Sequence, residues 1–314
     1  MSLSTSGNKY VRTLCAILFC LFSLFYLYFY QADIMALTQH VFSDGQTHYH
    51  RVVGTVIVTF TLMLVQFGVG RFFKRQNLIY ALSYFPSAML LAALTGISKE
   101  NGTFTFGSWG VVLPAVLAVF ACLLFWIRKF SYDTRFMYHY SGLILTLSNI
   151  AVLLLVFLGV ISMGNNSSVL HVQLKAERLI GEGQYDEALE TIANSGRQDS
   201  CLTMLTVYAL SRSNSLGDKL FSYRLEGGTR AMTPDGRTTA FVMYPESQFF
   251  NYLGSWVKQR MPADRYLDYL LRHNLGKKPF ADYYLSSLLL DKNLDRFVTY
   301  ILKFYDVKGL LPTH

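Results

Sequence analysis

The first 163 residues of the chain are dominated by long apolar runs. A helix needs about 20 predominantly apolar residues to cross the hydrocarbon core of a bilayer, where only helices and closed barrels satisfy their own backbone hydrogen bonds. Five runs of this kind contain no Asp, Glu, Lys, Arg or His, and they cover residues 13–32, 52–70, 77–97, 109–127 and 141–163. The pattern therefore predicts a five-helix transmembrane domain over residues 1–163.

The remaining residues, 164–314, follow the 3.6-residue period of amphipathic helices. The clearest case predicts one buried helix face made of Leu294, Phe297, Val298, Ile301, Leu302 and Tyr305. Short turns separate such segments, which predicts stacked helical hairpins and, with the apolar half, an all-α fold. The exception is residues 227–247, a polar, turn-rich insertion in which Thr238–Tyr244 is either a short strand or a segment lying against the membrane. A functional loop and a simple insertion both stay open there.

The stretch VLHVQLKAERLIGEGQYDEALETIANSG, residues 169–196, has the pattern of a helix, a tight turn and a second helix. It resembles a tetratricopeptide (TPR) repeat, a unit of about 34 residues. The residues that match the packing and turn positions of that family are Val172, Ala176, Leu179, Gly183, Tyr185, Ala188, Ile192 and Ser195. Lys175 departs from the family, which favours Leu there. The resemblance implies a binding surface for a protein partner rather than a catalyst.

A single repeat cannot bury its own faces, so about three stacked units are expected. Residues 208–221 are the candidate second unit, and residues 280–305 are the candidate third hairpin. Residues 310–314 follow that hairpin and have the sequence of a lead into another helix. Two explanations stay open: the chain is a fragment of a longer protein, or another chain caps the array.

The net charge of +8 is distributed unevenly along the chain. Residues 1–163 hold 10 Lys and Arg against 4 Asp and Glu, whereas residues 164–314 hold 18 against 16. The hydrophobic fraction of 52% and the mean hydropathy of +0.29 also come mainly from the first part. The excess positive charge thus belongs to the loops of a membrane domain, and we expect no nucleic-acid partner.

Positive charge on short loops marks the cytoplasmic side of a membrane. An inside amino terminus leaves only Arg51 and Lys99 outside and places the other basic residues of this half inside, namely Lys9, Arg12, Arg71, Lys74, Arg75, Arg128, Lys129 and Arg135. Five crossings then place the tail outside. A cleaved signal peptide is the weaker alternative for the first span, because its apolar core is long and no A-x-A site follows it.

The whole arrangement resembles uncharacterised bacterial inner-membrane proteins that join several amino-terminal spans to an extracytoplasmic TPR-like tail. The resemblance implies an integral multi-pass protein of the bacterial inner membrane, with a cytoplasmic amino terminus and a periplasmic carboxyl-terminal domain. It carries no assigned activity.

Few residues in the membrane half suggest chemistry. Gln66 and Asn149 are the strongest polar residues at membrane depth, and interhelical hydrogen bonding explains them better than a transport path, which usually needs ionisable groups. The loop between the first two spans holds His40, His48 and His50, a candidate metal site for which ordinary surface histidines are the favoured interpretation.

The motifs GxSxG, HExxH, GxGxxG and the P-loop do not occur in a suitable context, and we expect no cofactor. The sequence therefore favours a membrane-anchored interaction or scaffold protein, surrounded by lipid and presenting a TPR-like platform to a protein partner at the outer face of the inner membrane. An enzyme is less favoured. The alternative is a membrane enzyme or carrier that acts on lipid or glycan substrates.

Overall fold

The computed structural model describes residues 2–71, 73, 80–100, 103–130, 142–257 and 260–305. The basic residues Lys74, Arg75 and Arg135 and the predicted helix lead at 310–314 lie outside these ranges. The chain divides into two compact units, a membrane unit of residues 1–166 and a tail unit of residues 167–314. Helices account for nearly all regular structure, which confirms the all-α fold class.

The membrane unit contains six helices in its described residues. They are α1 (Ser2–Phe25, continued by a π-helical turn at Tyr26–Tyr30), α2 (Ala32–Phe42), α3 (Arg51–Gly70), α4 (Phe85–Thr95, preceded by a 3-10 turn at Tyr80–Tyr84), α5 (Trp109–Phe130) and α6 (Gly142–Met163). Between α4 and α5 lies a small antiparallel pair, β1 (Ser98–Glu100) and β2 (Thr103–Thr105), in which Lys99 faces Phe104.

Four helices are long and apolar enough to cross a membrane: Lys9–Tyr30, Arg51–Gly70, Trp109–Trp126 and Gly142–Met163. In the described residues, the predicted span 77–97 forms a shorter apolar helix, Tyr80–Thr95. Its 5-residue 3-10 turn and 11-residue α-helix together rise roughly 26 Å, slightly less than a hydrocarbon core of about 30 Å.

This short helix is the most buried element of the membrane unit. Small residues such as Ser87, Ala88 and Ala92 let neighbouring helices approach it closely. Side chains of its neighbours also bond to it at both ends. At the start, Asn149 Oδ1 of α6 accepts from the Ala81 N–H at 2.7 Å; near the end, Thr38 Oγ1 of α2 donates to the Leu94 carbonyl at 2.9 Å.

The tail unit consists of short helices around one apolar core. They are α7 (Ser168–Gly181), α8 (Tyr185–Ser195), α9 (Ser200–Arg212), α10 (Leu216–Lys219), α11 (Glu246–Leu253), α12 (Ala263–Arg272), α13 (Lys278–Leu290) and α14 (Leu294–Phe304). The central helix is α9, which is buried on every side from Cys201 to Ser211. The pairs α7–α8, α9–α10 and α13–α14 form three helical hairpins.

All three hairpins turn in the same way. One turn residue has a left-handed backbone, with φ of +80° at Gly183, +54° at Asn214 and +56° at Lys292. The next N–H donates to a carbonyl five residues back, which is the Schellman end of a helix. These bonds run from Gln184 to Leu179, from Ser215 to Leu210 and from Asn293 to Leu288, at 2.8, 2.9 and 2.8 Å.

The structure corrects the predicted buried face of α14. Phe297 and Phe304 pack against the tail core, together with Tyr300. Leu294, Val298 and Leu302 are 60, 56 and 63% exposed, however, and form a separate outward stripe. Apolar periodicity alone does not distinguish these two faces, because both carry large apolar residues at helical spacing.

The insertion at 227–247 contains a 3-10 turn at Gly228–Met232, and Thr238–Tyr244 is not a strand. This part of the chain folds into its own unit. Phe241 is buried against the rings of Tyr208, Tyr244 and Phe249, with centroids 6.0, 5.1 and 5.6 Å away. The polar composition hid this packing, because the threonines Thr233 and Thr239 are buried here together with Met232 and Phe241.

Candidate functional site

The eight residues of the predicted repeat lie together in the α7–α8 hairpin. Ala176, Leu179, Ala188 and Ile192 are buried in the tail core, and Val172 and Tyr185 pack against its edge. Gly183 occupies the left-handed turn, and Ser195 Oγ donates to the Ile192 carbonyl at 2.7 Å. These residues pack the two helices of the hairpin together.

The three histidines between the first span and α3 are not assembled into a metal site. No group of three or more His, Cys, Asp or Glu in the described ranges has metal-binding geometry. His50 precedes α3, where its Nδ1 accepts from the Val53 N–H at 3.5 Å, and the side chain of His40 packs beside Gly45. His48 is exposed and uses its backbone carbonyl to accept from Gln39.

Gln66 and Asn149 make hydrogen bonds inside the membrane unit. Gln66 Nε2 donates to the Tyr80 and Ser83 hydroxyls at 3.0 and 3.2 Å. Asn149 Nδ2 donates to the Leu145 carbonyl of its own helix at 2.8 Å, while its Oδ1 accepts from Ala81. Both amides therefore connect α3 and α6 to the start of the short helix Tyr80–Thr95.

In the tail unit, a buried carboxylate holds the irregular segment. Glu177 lies on the inward face of α7 and accepts backbone N–H groups from Val242, Met243 and Tyr244. Gln173, one turn earlier, donates from Nε2 to Glu177 Oε1 at 3.0 Å. The backbone contacts are 2.9 Å from Val242 to each oxygen, and 2.8 and 3.1 Å from Met243 and Tyr244 to Oε2.

Two opposing effects act on the pKa of Glu177. Burial raises the pKa, and the donated hydrogen bonds lower it; burial prevails, so the pKa lies above its ordinary value. All the observed partners are N–H donors, which is the arrangement that a carboxylate requires and that a neutral amide cannot fully use. We therefore assign Glu177 a positioning role for the segment around Tyr244.

A second carboxylate organises the preceding turn. Asp235 Oδ1 accepts the N–H groups of Arg237, Thr238 and Thr239 at 2.8, 2.9 and 2.9 Å. Partial burial pushes the pKa of Asp235 upward, but the bonds from Thr239, Arg237 and Thr238 outweigh it and lower the pKa to about 2. The turn lies just before Val242 and Met243, whose N–H groups donate to the Glu177 carboxylate.

The segment held by Glu177 leads to a cluster of tyrosines around Arg212, at the end of α9. The Tyr244 and Tyr208 hydroxyls lie 2.9 Å apart, and Arg212 Nη1 donates to the Tyr208 hydroxyl at 3.3 Å. The guanidinium carbon of Arg212 lies 5.1, 5.9 and 5.0 Å from the ring centroids of Tyr185, Tyr208 and Tyr252. We call Arg212 with Tyr185, Tyr208, Tyr244 and Tyr252 the Arg212 cluster.

Comparison with Arg296 shows what distinguishes this cluster. Arg296 also lies over two tyrosine rings, Tyr284 and Tyr300, but it forms an ion pair with Asp268 at 3.0 Å. In the described ranges, Arg212 has aromatic neighbours and a hydroxyl partner but no ion pair. Because a guanidinium presents five donors in a fork that matches a carboxylate, this arrangement can accept an anion from outside the chain.

Neither the hydrogen bonds of Glu177 to residues 242–244 nor the Arg212 cluster was predicted from the sequence. The sequence did contain a sign of the Glu177 bonds, since Gln173 and Glu177 interrupt the inward face of α7 beside Ala176 and Ile180. A charged residue on a buried helix face is rare unless it has partners. The Arg212 cluster had no comparable sign, because its tyrosines come from distant parts of the chain.

Compared with known proteins, the chain matches no protein-family model, no curated protein and no solved structure.

Proposed function

We propose that this protein is a membrane-anchored interaction protein whose tail is a TPR-like platform that binds an acidic segment of a partner protein at the Arg212 cluster. The observation that carries the proposal is a half-buried guanidinium bracketed by three tyrosine rings, without an acidic partner in the described ranges. The three helical hairpins of the tail unit support the repeat platform.

The chemistry of the cluster favours a carboxylate on a peptide. The planar guanidinium binds a carboxylate through two parallel hydrogen bonds, and nearby tyrosines add aromatic surface and hydroxyl groups. Tyr and Arg are also the residue types that contribute most at protein interfaces. The aspartate or glutamate side chains and the carboxyl terminus of a partner all present the required group.

We place the protein in the bacterial inner membrane, as the resemblance of its arrangement implies. The loop charges support an inside amino terminus and a tail on the outer face, because this orientation keeps most basic residues of the membrane half on the cytoplasmic side. The spans then anchor the tail beside the membrane, where it meets partner proteins.

In-cell crosslinking with mass spectrometry of the full-length protein tests the proposal. Replacing Arg212 by Gln removes a charge-assisted pair of about 1.5–3 kcal/mol, so we expect at least about a tenfold loss of the captured partner. Arg212→Lys keeps the charge without the fork and is expected to lose an intermediate amount. The matched control is Arg272→Gln, an exposed position on α12.

A partner set that depends on Arg212 and not on Arg272 supports the proposal. Equal capture by the wild type and Arg212→Gln, with α9 protected from hydrogen exchange in both, overturns it. A variant that lacks residues 167–314 shows which crosslinks belong to the spans alone.

A further inference from the structure

The membrane unit contains an apolar groove that the described helices leave open. The groove has a volume of about 420 Å³, and all eight residues that line it are apolar. Leu82 and Phe85 of the short helix Tyr80–Thr95 form one wall, and the α5 face from Ala115 to Leu124 forms the other. This volume falls within the range of about 300–1,000 Å³ that is usual for small-molecule sites.

The groove exists because α5 packs loosely against its neighbours. Of the side chains described in α5, only that of Phe120 is buried, at 8% exposure. It meets Phe85 with the ring centroids 5.0 Å apart, which joins the two walls. Ala115 and Val119 line the groove on the same helix, before this contact.

We propose that this groove binds one acyl chain of a membrane phospholipid. The walls belong to apolar helices, and the lining offers no polar atom that would favour water. An empty groove would cost the dispersion contacts of its lining atoms, and lipid chains are the material that a bilayer provides at this depth. The proposal concerns the membrane unit and goes beyond the function proposed for the tail.

The groove offers a ligand apolar contact and nothing else. The wall from Ala115 to Leu124 is roughly 13 Å long at 1.5 Å per residue. A single file of methylene groups along this wall needs no hydrogen-bond partner, and all eight lining residues are apolar. The acyl chains of a bilayer are single files of this kind, and they surround the walls of the groove.

The test uses the full-length protein in lipid nanodiscs that contain a phospholipid with a photoreactive diazirine in its acyl chain. In the wild type, we expect labelling at residues 80–86 and 115–124 that saturates as the mole fraction of this probe rises. The exposed outer face of α6 at Leu154, Leu155 and Leu158 provides the comparison with ordinary lipid contact, where labelling rises in proportion to the probe.

Two substitutions on the same helix complete the experiment. Ala115→Trp fills the groove and is expected to abolish the saturable labelling, while Val111→Trp, at a position 76% exposed outside the groove, is expected to leave it unchanged. If labelling of the wild-type groove rises in proportion to the probe, as labelling of α6 does, the proposal is overturned by the wild type alone. Labelling that persists unchanged in Ala115→Trp also overturns it.

Discussion

At the scale of single residues, Glu177 shows how a buried charge is tolerated without a cation. Taking a carboxylate out of water costs several kcal/mol unless hydrogen bonds replace its hydration. Here Gln173 and three consecutive backbone N–H groups, from Val242 to Tyr244, supply that replacement. The same bonds satisfy backbone donors in a segment that belongs to no helix or strand, so the carboxylate and the loop stabilise each other.

Replacing Glu177 by Gln should release the segment around Tyr244. The amide of Gln places its own donors against backbone N–H groups, and each buried group left unpaired costs about 1–3 kcal/mol. We expect hydrogen exchange of the Val242, Met243 and Tyr244 amides to become at least about tenfold faster in the intact protein. Glu187→Gln, at an exposed position on α8, is the matched control. Unchanged exchange in Glu177→Gln would contradict the positioning role.

The turn at Asp235 should depend on pH. The folded pKa of this carboxyl is lowered to about 2, below the ordinary value of about 3.9. Its stabilisation is therefore complete above about pH 4 and is lost as the pH falls through about 2. We expect the amides of Arg237, Thr238 and Thr239 to lose protection over that range, after correction for intrinsic exchange rates. Asp235→Asn should show weaker protection at neutral pH and no further acid-dependent loss.

At the scale of elements, the shared turn links the three hairpins of the tail. A left-handed residue ends each first helix, and an acidic residue follows in the first turn of the next one, at Asp186, Asp218 and Asp295. Negative charge near a helix start is favourable because it meets the positive end of the helix dipole. The second hairpin departs from the other two, since α10 has only 4 residues and is followed by a 3-10 turn at Leu220–Ser222.

Gly183→Ala tests the backbone requirement of the first turn. No heavy atom lies within 4 Å of the added Cβ, so the cost comes from the backbone alone, with φ at +80°. A left-handed conformation costs a residue with a side chain roughly 1–2 kcal/mol. We expect faster hydrogen exchange across α8. The control is Gly181→Ala in the last turn of α7, where the nearest heavy atom is 3.9 Å away and Ala favours the helix; equal effects of both changes would contradict this explanation.

An element could be predicted from the sequence where the residues that determine it are close together along the chain. The α7–α8 hairpin could be predicted because turn, packing positions and helices lie within about 30 consecutive residues, close to a repeat length. The inner face of α14 could not, since Leu302 and Phe304 are both apolar and only the three-dimensional position of the core decides between them. The Arg212 cluster could not be predicted for the same reason, because only the tertiary fold brings Tyr185 and Tyr252 together.

At the scale of the whole molecule, the number of membrane crossings decides on which side the tail lies. Four helices have the length of a span, and the short helix Tyr80–Thr95 decides the count. If it does not cross, the basic end of α5 at Arg128 and Lys129 lies on the opposite side from the start of the chain, against the usual retention of positive charge. We therefore predict five crossings, with the loop after α2 and the tail on the same, outer side.

Single cysteines test this prediction in a variant whose four natural cysteines are replaced. Gln46, Arg71 and Glu187 are exposed positions after α2, after α3 and in the tail. On intact cells, a membrane-impermeant maleimide should label Gln46→Cys and Glu187→Cys but not Arg71→Cys, which should react only after the cells are opened. Because α3 to α6 lie between positions 46 and 187, labelling of just one of these two would mean that the short helix does not cross. Labelling of Arg71→Cys alone would mean that five crossings are correct and the orientation is reversed.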